Sequence, residues 1–543
     1  MLIPEKLTLR HTLFNATKEY ADKDSLAYVD SHPISYAELM DKVSSQAQTL
    51  LDNGISPGDR VAILSENCPN WGIAYLAITT SGAVVVPILP DFHANEIQNI
   101  LKQSQAKAIF ISDKLLPNIA SLGRNKLLVI STENMKLESQ SKETKANKFN
   151  YQELSVEEDD LAAIIFTSGT TGHSKGVMLT HKNIVANAVD GGKSFDDLRE
   201  DERLVSLLPL SHTYECTLGF VLPLLIGASI HYIEGKPVPS TLMKAMEKIK
   251  PTIVFSIPLI IEKIFKLKIL PQLKKGTITR SLYKFEFSRK KLHKIAGKKL
   301  LDSFGGKIHL FGIGGAPLSQ KTERFLLDAE FPYYCAYGLT ESSPLVTGAS
   351  KNRRLGSVGQ ILPTIETRIE KKHPEQKEGE LYIKGPSIMR GYYEDPDTTN
   401  EVLSEDGWLK TGDLCHIDAD NYLYIHGRSK NMILGPSGEN IYPEEIESIL
   451  LTHRYVVESI VYEHETNVVA RVHPDYDLLQ KEFDQQGLTL QQRKKRMNLI
   501  IDEIRIETNQ QLSSFSRINR IIEQEEPFAK TPTQKIKRYL YVT

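Results

Sequence analysis

An apolar run at 161–166 leads directly into Thr167, Ser168, Gly169, Thr170, Thr171 and Gly172, with Lys175 and Gly176 after them and a helix-like stretch at 182–189. A buried strand that ends in a loop before a helix is the repeating unit of an α/β fold. Gly169 and Gly172 let the backbone turn and approach a ligand closely, the hydroxyls offer donors, and Lys175 adds a positive charge. In chemical terms this is a phosphate cradle. It is not the common nucleotide P-loop, which needs four residues between its glycines and a Lys-Ser/Thr pair after the second; here two residues separate Gly169 from Gly172 and glycine follows the lysine. A plain Ser/Thr/Gly surface loop is the competing reading.

The flanking sequence carries the same rhythm. Ser35 and Glu38 form a capping box ahead of Leu39, Val43, Ala47 and Leu50 on one helical face, and Gly54 supplies a stop. Apolar runs at 61–64, 83–86, 108–111 and 127–130 alternate with helix-length stretches such as 95–103, which predicts βαβ units and a parallel sheet. The polar stretch 136–148 reads as a link. Strand signals at 204–209, 229–233 and 252–257, with a helix at 242–249, predict a second α/β unit. The apolar stretches 218–230 and 258–265 read as core, or in part as the lining of an acyl pocket.

A chain of 543 residues with 41% hydrophobic and 25% charged residues is too long for one core, so two or more domains are expected. Its net charge of −2 argues against nucleic-acid binding driven by global positive charge. The first residues lack a basic segment followed by an apolar one, and no run reaches the ~18 apolar residues of a spanning helix, so a cytoplasmic location is expected. Cys68, Cys216, Cys335 and Cys415 are scattered, which fits free thiols in a reducing compartment. The segment 263–299 is rich in lysine and interleaved with Leu, Ile, Tyr and Phe; it reads either as a solvated helical face or as a peripheral contact with the inner face of an anionic membrane.

Further strings bear chemistry. A strand at 308–313 ends in Gly312, Gly314, Gly315, Ala316 and Pro317; a dinucleotide fingerprint would need glycine where Pro317 stands, so hydride chemistry is discounted. A strand at 332–336 ends in Tyr337, Gly338, Leu339, Thr340 and Glu341, where a carboxylate suits Mg²⁺. Asp413 and Arg428 are of the types that clamp a ribose or phosphate, and in isolation read equally as a turn aspartate and a surface arginine. A basic tail at 530–538 contains Lys535; such tails are usually solvated.

Taken together and in this order, these strings resemble the adenylate-forming superfamily of acyl-CoA synthetases, peptide-synthetase adenylation domains and luciferases, and most of all long-chain fatty acyl-CoA synthetases. The resemblance spans nearly the whole chain. It implies a large α/β domain at 1–428, with two βαβ-type subdomains and a small β subdomain, and a mobile α+β lid at 429–543. It implies that the Thr167 loop holds the β- and γ-phosphates of ATP, that Gly315, Ala316, Tyr337 and Gly338 lie beside adenine, and that Thr340 contacts the α-phosphate. By the same resemblance Glu341 holds Mg²⁺, Asp413 and Arg428 clamp the nucleotide at its ribose or phosphate, and Lys535 is the catalytic lysine. Lys430 would be the hinge, Gly438, Glu439 and Asn440 the loop facing coenzyme A, and His212 the gate of the acyl pocket, although a lone histidine is as often a packed structural residue. Asn431 departs from the Asp or Glu of many relatives, and Gln534 from the glycine that commonly precedes the lysine. The activity implied is ATP-dependent conversion of a fatty acid to acyl-AMP and then, with coenzyme A, to acyl-CoA. A fatty acyl-AMP ligase or a synthetase acting on acyl carrier protein, a conventional nucleotide kinase or ATPase, against which the missing P-loop pattern speaks, and a non-catalytic lipid- or nucleotide-binding protein are the competitors.

Overall fold

Ser35 caps the helix Tyr36–Asp52 as its sequence predicts: its hydroxyl accepts from the Glu38 N–H, and the Glu38 carboxylate accepts in return from the Ser35 N–H. Leu39, Val43, Ala47 and Leu50 are all fully buried, and Gly54 adopts the left-handed φ of 85° just past the helix. The structure, a computed structural model, describes residues 1–543 apart from 123–126, 140–149, 169–173, 196, 200, 236, 274, 277–280, 351, 372, 436–438, 532–534 and 543.

Arg60–Leu64, Val84–Pro87, Ala108–Ile111 and Leu128–Ser131 form the parallel heart of an eight-stranded sheet. Alternate residues of these strands enter different cores. Val61, Ile63, Val85, Phe110 and Ile130 join one apolar cluster, while Ala62, Leu64, Val84, Val86, Ile109 and Val129 join another. Burial on both faces is why the strands read as unbroken apolar runs. At roughly 1.5–3 kcal/mol for each fully buried large side chain, this packing fixes the position of the strand ends.

Leu161–Ser168 joins this sheet beside Val84–Pro87. Contrary to the sequence reading, the chain does not pass from the loop straight into a helix. It returns as a second strand, Ser174–Thr180, antiparallel to the first, with Thr167 opposite Lys175 and Ser168 opposite Ser174. Only then does the helix His181–Lys193 begin. Gly176 makes the pairing possible, because a Cβ there would stand 2.9 Å from Ile164 Cγ2 and 3.2 Å from Phe166 Cζ. Of the cradle residues, Gly169, Thr170, Thr171 and Gly172 lie outside the described residues.

The second sheet has seven strands. Tyr333–Cys335, Leu310–Ile313, Ile253–Ser256, Arg203–Ser206, Ser229–Tyr232 and Asp24–Tyr28 run parallel, and Ile34–Ser35 closes the edge. The apolar stretch at 218–230 is core here: Leu218, Phe220, Val221, Leu222, Leu224 and Leu225 are each at most 2% exposed. A four-stranded antiparallel sheet follows, made of Glu366–Glu370, Gly379–Lys384, Leu409–Ile417 and Leu423–Arg428.

Beyond it a separate core forms from Ile446, Leu450, Val461, Val472, Ile500 and Ile504 among others. These come from a three-stranded sheet, Val456–His464, Asn467–Pro474 and Arg520–Glu523, and the helices Pro443–Leu450 and Leu490–Asn509. The charged stretch 480–507 lies on two helices. Tyr476–Gln485 stops before Gly487, at φ 64°, and a capping box of Thr489 and Gln492 starts the next. The fold is thus α/β with mixed sheets and a C-terminal domain.

Candidate active site

Leu310–Ile313 and Tyr333–Cys335 are neighbours in register, Ile313 beside Cys335, so the turns that follow them emerge side by side. Gly315 takes φ 83° in the first turn. Tyr337, Gly338, Thr340 and Glu341 occupy the second, and Gly338 can only be glycine: a Cβ there would sit 1.8 Å from the Pro344 carbonyl oxygen. Asn187, fully buried in the helix after the cradle hairpin, clamps this turn. Its amide donates to the carbonyls of Ser342 (3.2 Å) and Leu345 (2.8 Å), and its oxygen accepts from the Leu345 N–H (3.0 Å).

Glu341 is positioned from two sides. Its backbone carbonyl accepts from the Met389 N–H at 2.8 Å, and its Oε1 accepts from the Tyr392 hydroxyl at 2.9 Å. The Lys175 ammonium lies 5.1 Å from the centre of the Tyr392 ring. Tyr392 therefore joins the cradle hairpin to the acidic turn, a role the sequence reading missed. Asn187 was missed too. Its signal was available, since Asn183 and Asn187 sit four apart on a helix otherwise made of Ile184, Val185, Ala186 and Ala188; Tyr392 gave none.

Asp413 faces Arg428 across the small sheet, and Arg428 Nε lies 2.9 Å from Asp413 Oδ1. The Tyr337 hydroxyl donates to Asp413 Oδ2. Asp413 is 3% exposed. Burial pushes its carboxyl above the usual range, while Arg428, the Tyr337 hydroxyl and Lys535 pull the other way.

Lys535 comes from the far end of the chain, on a turn closed by Thr531 N–H to the Lys535 carbonyl at 2.8 Å and Lys535 N–H to Thr531 Oγ1 at 3.2 Å. Its side chain is exposed, but to a cleft whose walls are protein. Those walls hold its pKa below the ordinary lysine value, Arg428 lowers it further, and Asp413 and Glu341 oppose the shift. His212 is held at about 4 by burial and then by the charge of Lys535, so it is neutral at pH 7. Its Nδ1 accepts from the Tyr214 N–H at 3.2 Å.

The cleft is about 3450 Å³ and is lined by Thr167, Lys175, His212, Gly315, Ala316, Tyr337, Gly338, Thr340, Glu341, Asp413, Arg428 and Lys535. Lys430, Glu439 and Asn440 line it as well. Lys430 stands exposed in the turn after Leu423–Arg428, and the adjoining Asn431 amide donates to Glu444 Oε1 at 2.6 Å. Gly438 lies outside the described residues, as do the side-chain surroundings of Ser168. Among the described residues no group of three or more His, Cys, Asp or Glu side chains is arranged to hold a metal ion. A divalent ion at Glu341 would have to take most of its oxygens from phosphates and water, a habit of Mg²⁺.

The profile of the AMP-binding enzyme family matches residues 13–393. The chain belongs to that family. It is 29% identical to the putative acyl-CoA synthetase YngI of Bacillus subtilis (strain 168), over 83% of this chain and 84% of the relative. It is 28% identical to long-chain-fatty-acid–CoA ligase 1 of Cavia porcellus, over 93% and 80% respectively. Among solved structures, the anthranilate CoA ligase AuaEII in complex with anthranoyl-AMP superposes with a TM-score of 0.78 at 20% identity, covering 99% of this chain and 97% of that one. The o-succinylbenzoate CoA synthetase of Bacillus subtilis with ATP and magnesium gives 0.74 at 20% identity, covering 97% and 98%. These likenesses show the adenylate-forming fold.

Proposed function

We propose that this member of the AMP-binding enzyme family, a ligase that forms acyl-CoA, acts on fatty acids of long chain. The observation that carries the adenylation chemistry is the convergence of Lys535, Glu341 and the Asp413–Arg428 pair on one cleft from three separate stretches of the chain. The fatty acid carboxylate attacks the α-phosphorus of ATP, pyrophosphate leaves, and an acyl-adenylate results. The thiol of coenzyme A, with a pKa near ~8.5, then attacks the acyl carbonyl and AMP departs.

Two anions must meet in the first step. Lys535 offsets their charge, the Thr340 hydroxyl donates to the α-phosphate, and the segment from Thr167 to Lys175, including Ser168, Gly169, Thr170, Thr171 and Gly172, holds the β- and γ-phosphates. Glu341, aimed by Tyr392, would hold Mg²⁺, which supplies neutralising charge to the triphosphate. Asp413 and Arg428 hold the ribose, and Gly315, Ala316, Tyr337 and Gly338 the adenine. His212, neutral and fixed by the Tyr214 N–H, gates the acyl pocket. Lys430 is the hinge on which residues 429–543 turn, withdrawing Lys535 and bringing Gly438, Glu439 and Asn440 toward the thiol.

Long-chain relatives support the substrate, and a ligase named for OPC-8:0 and one similar to 4-coumarate ligases are comparably related. A panel of saturated acids from acetate to stearate, with aryl acids alongside, decides by coenzyme A-dependent AMP release. We expect kcat/KM to rise about fourfold per added methylene, the factor for burying ~0.8 kcal/mol, until the pocket is full. Higher turnover of aryl acids would overturn the long-chain assignment. AMP release that needs a carrier protein in place of coenzyme A would favour an acyl carrier protein synthetase.

A further inference from the structure

Phe285 and Phe287 are 66% and 73% exposed, and Leu282 and Ile295, 42% and 58%, extend an apolar surface around them. They are not loosely held. Phe285 is the N-cap of the helix Glu286–Ser303, and its N–H donates to the Leu282 carbonyl at 3.2 Å. Between them Tyr283 turns inward, its hydroxyl 3.2 Å from His293 Nε2, while His293 Nδ1 lies 3.0 Å from the buried Asp328 carboxylate. His293, Gly297 and Leu300 form the buried face of the helix. This anchor fixes the backbone so that the neighbouring rings point to solvent.

The same surface is basic. Lys284, Lys290, Lys291, Lys294, Lys298 and Lys299 are all exposed. Glu286 pairs with Lys290 at 2.8 Å and Glu330 with Lys294 at 2.6 Å, and Asp302 is exposed on the same helix, so six lysines against three acids leave a surplus of three positive charges. Lys291 Nζ lies 4.5 Å from the centre of the Phe287 ring. The chain as a whole has a net charge of −2, so this concentration is local. No helix among the described residues is long and apolar enough to cross a membrane.

From the aromatic pair, the rigid turn beneath it and the lysine surplus around it, we infer that this face docks on an anionic lipid surface. Aromatic rings enter the interface between headgroups and acyl chains, and lysines beside them meet lipid phosphates. The inference is independent of which acid the cleft activates.

Co-sedimentation of the full chain with phosphatidylcholine vesicles, with and without phosphatidylglycerol, tests it. Binding is expected only to the anionic vesicles and should weaken with added salt. The double variants Phe285→Ser/Phe287→Ser and Lys291→Gln/Lys298→Gln should each reduce binding by about tenfold or more, with melting temperatures unchanged. Equal binding by parent and variants, equal binding to neutral vesicles, or self-association of the parent that the variants abolish would overturn the proposal.

Discussion

On the proposed reading, Lys535→Ala is expected to lower acid-dependent exchange of pyrophosphate into ATP by roughly 10³-fold, about 4 kcal/mol of lost transition-state stabilisation. The reason is electrostatic. A carboxylate approaching a triphosphate gains little unless a cation lies between them, and a cleft walled by protein screens charge less than water does. Because the Lys535 side chain opens onto the cleft, its removal should leave the melting temperature within about a degree. Thioester formation from supplied acyl-AMP and coenzyme A should stay within about threefold of the parent, since on the proposed reading Lys535 has been withdrawn from the cleft before the thiol attacks. Stopped-flow or quench measurements of the two halves check this. Unaltered exchange in the variant would remove Lys535 from the mechanism. The pH dependence has a definite sign: the lysine acts as a cation, so adenylation declines as pH rises through its pKa. Burial and Arg428 bring that decline to a lower pH than an ordinary lysine would show.

Glu341→Gln is expected to raise the Mg²⁺ concentration for half-maximal activity at least about tenfold and to lower kcat by roughly 10²-fold. The amide can still accept from the Tyr392 hydroxyl, so the turn keeps its shape and only the charge is lost. Tyr392→Phe makes the converse change. It leaves the carboxylate and removes its 2.9 Å partner, and should cost only a few-fold in kcat, as expected of one hydrogen bond of about 1 kcal/mol. Titration of activity with Mg²⁺ separates the two variants. Equal Mg²⁺ dependence in parent and Glu341→Gln would mean that the carboxylate holds no metal.

Much of the scaffold is readable before any coordinates. Parallel strands buried on both faces must be continuous apolar runs, and the Ser35 cap and Gly54 stop follow from hydrogen bonds within a few residues. What escaped reading depends on distance in the chain. Ser174–Thr180 looks like loop because it opens on serine, lysine and glycine, and the glycine answers to Ile164 and Phe166 of the paired strand, which no local propensity expresses. Tyr392 meets Glu341 from 51 residues away. The nucleotide motifs could be recognised only through family resemblance, since Asp413 and Arg428 taken singly are unremarkable until the small sheet places them face to face.

One tracer experiment reaches the central claim directly. If the fatty carboxylate attacks the α-phosphorus and the thiol later attacks the carbonyl carbon, a carboxylate labelled with ¹⁸O leaves one labelled oxygen on AMP. We predict AMP carrying that single label together with unlabelled pyrophosphate. Unlabelled AMP, or ADP as the adenine product, would contradict the account.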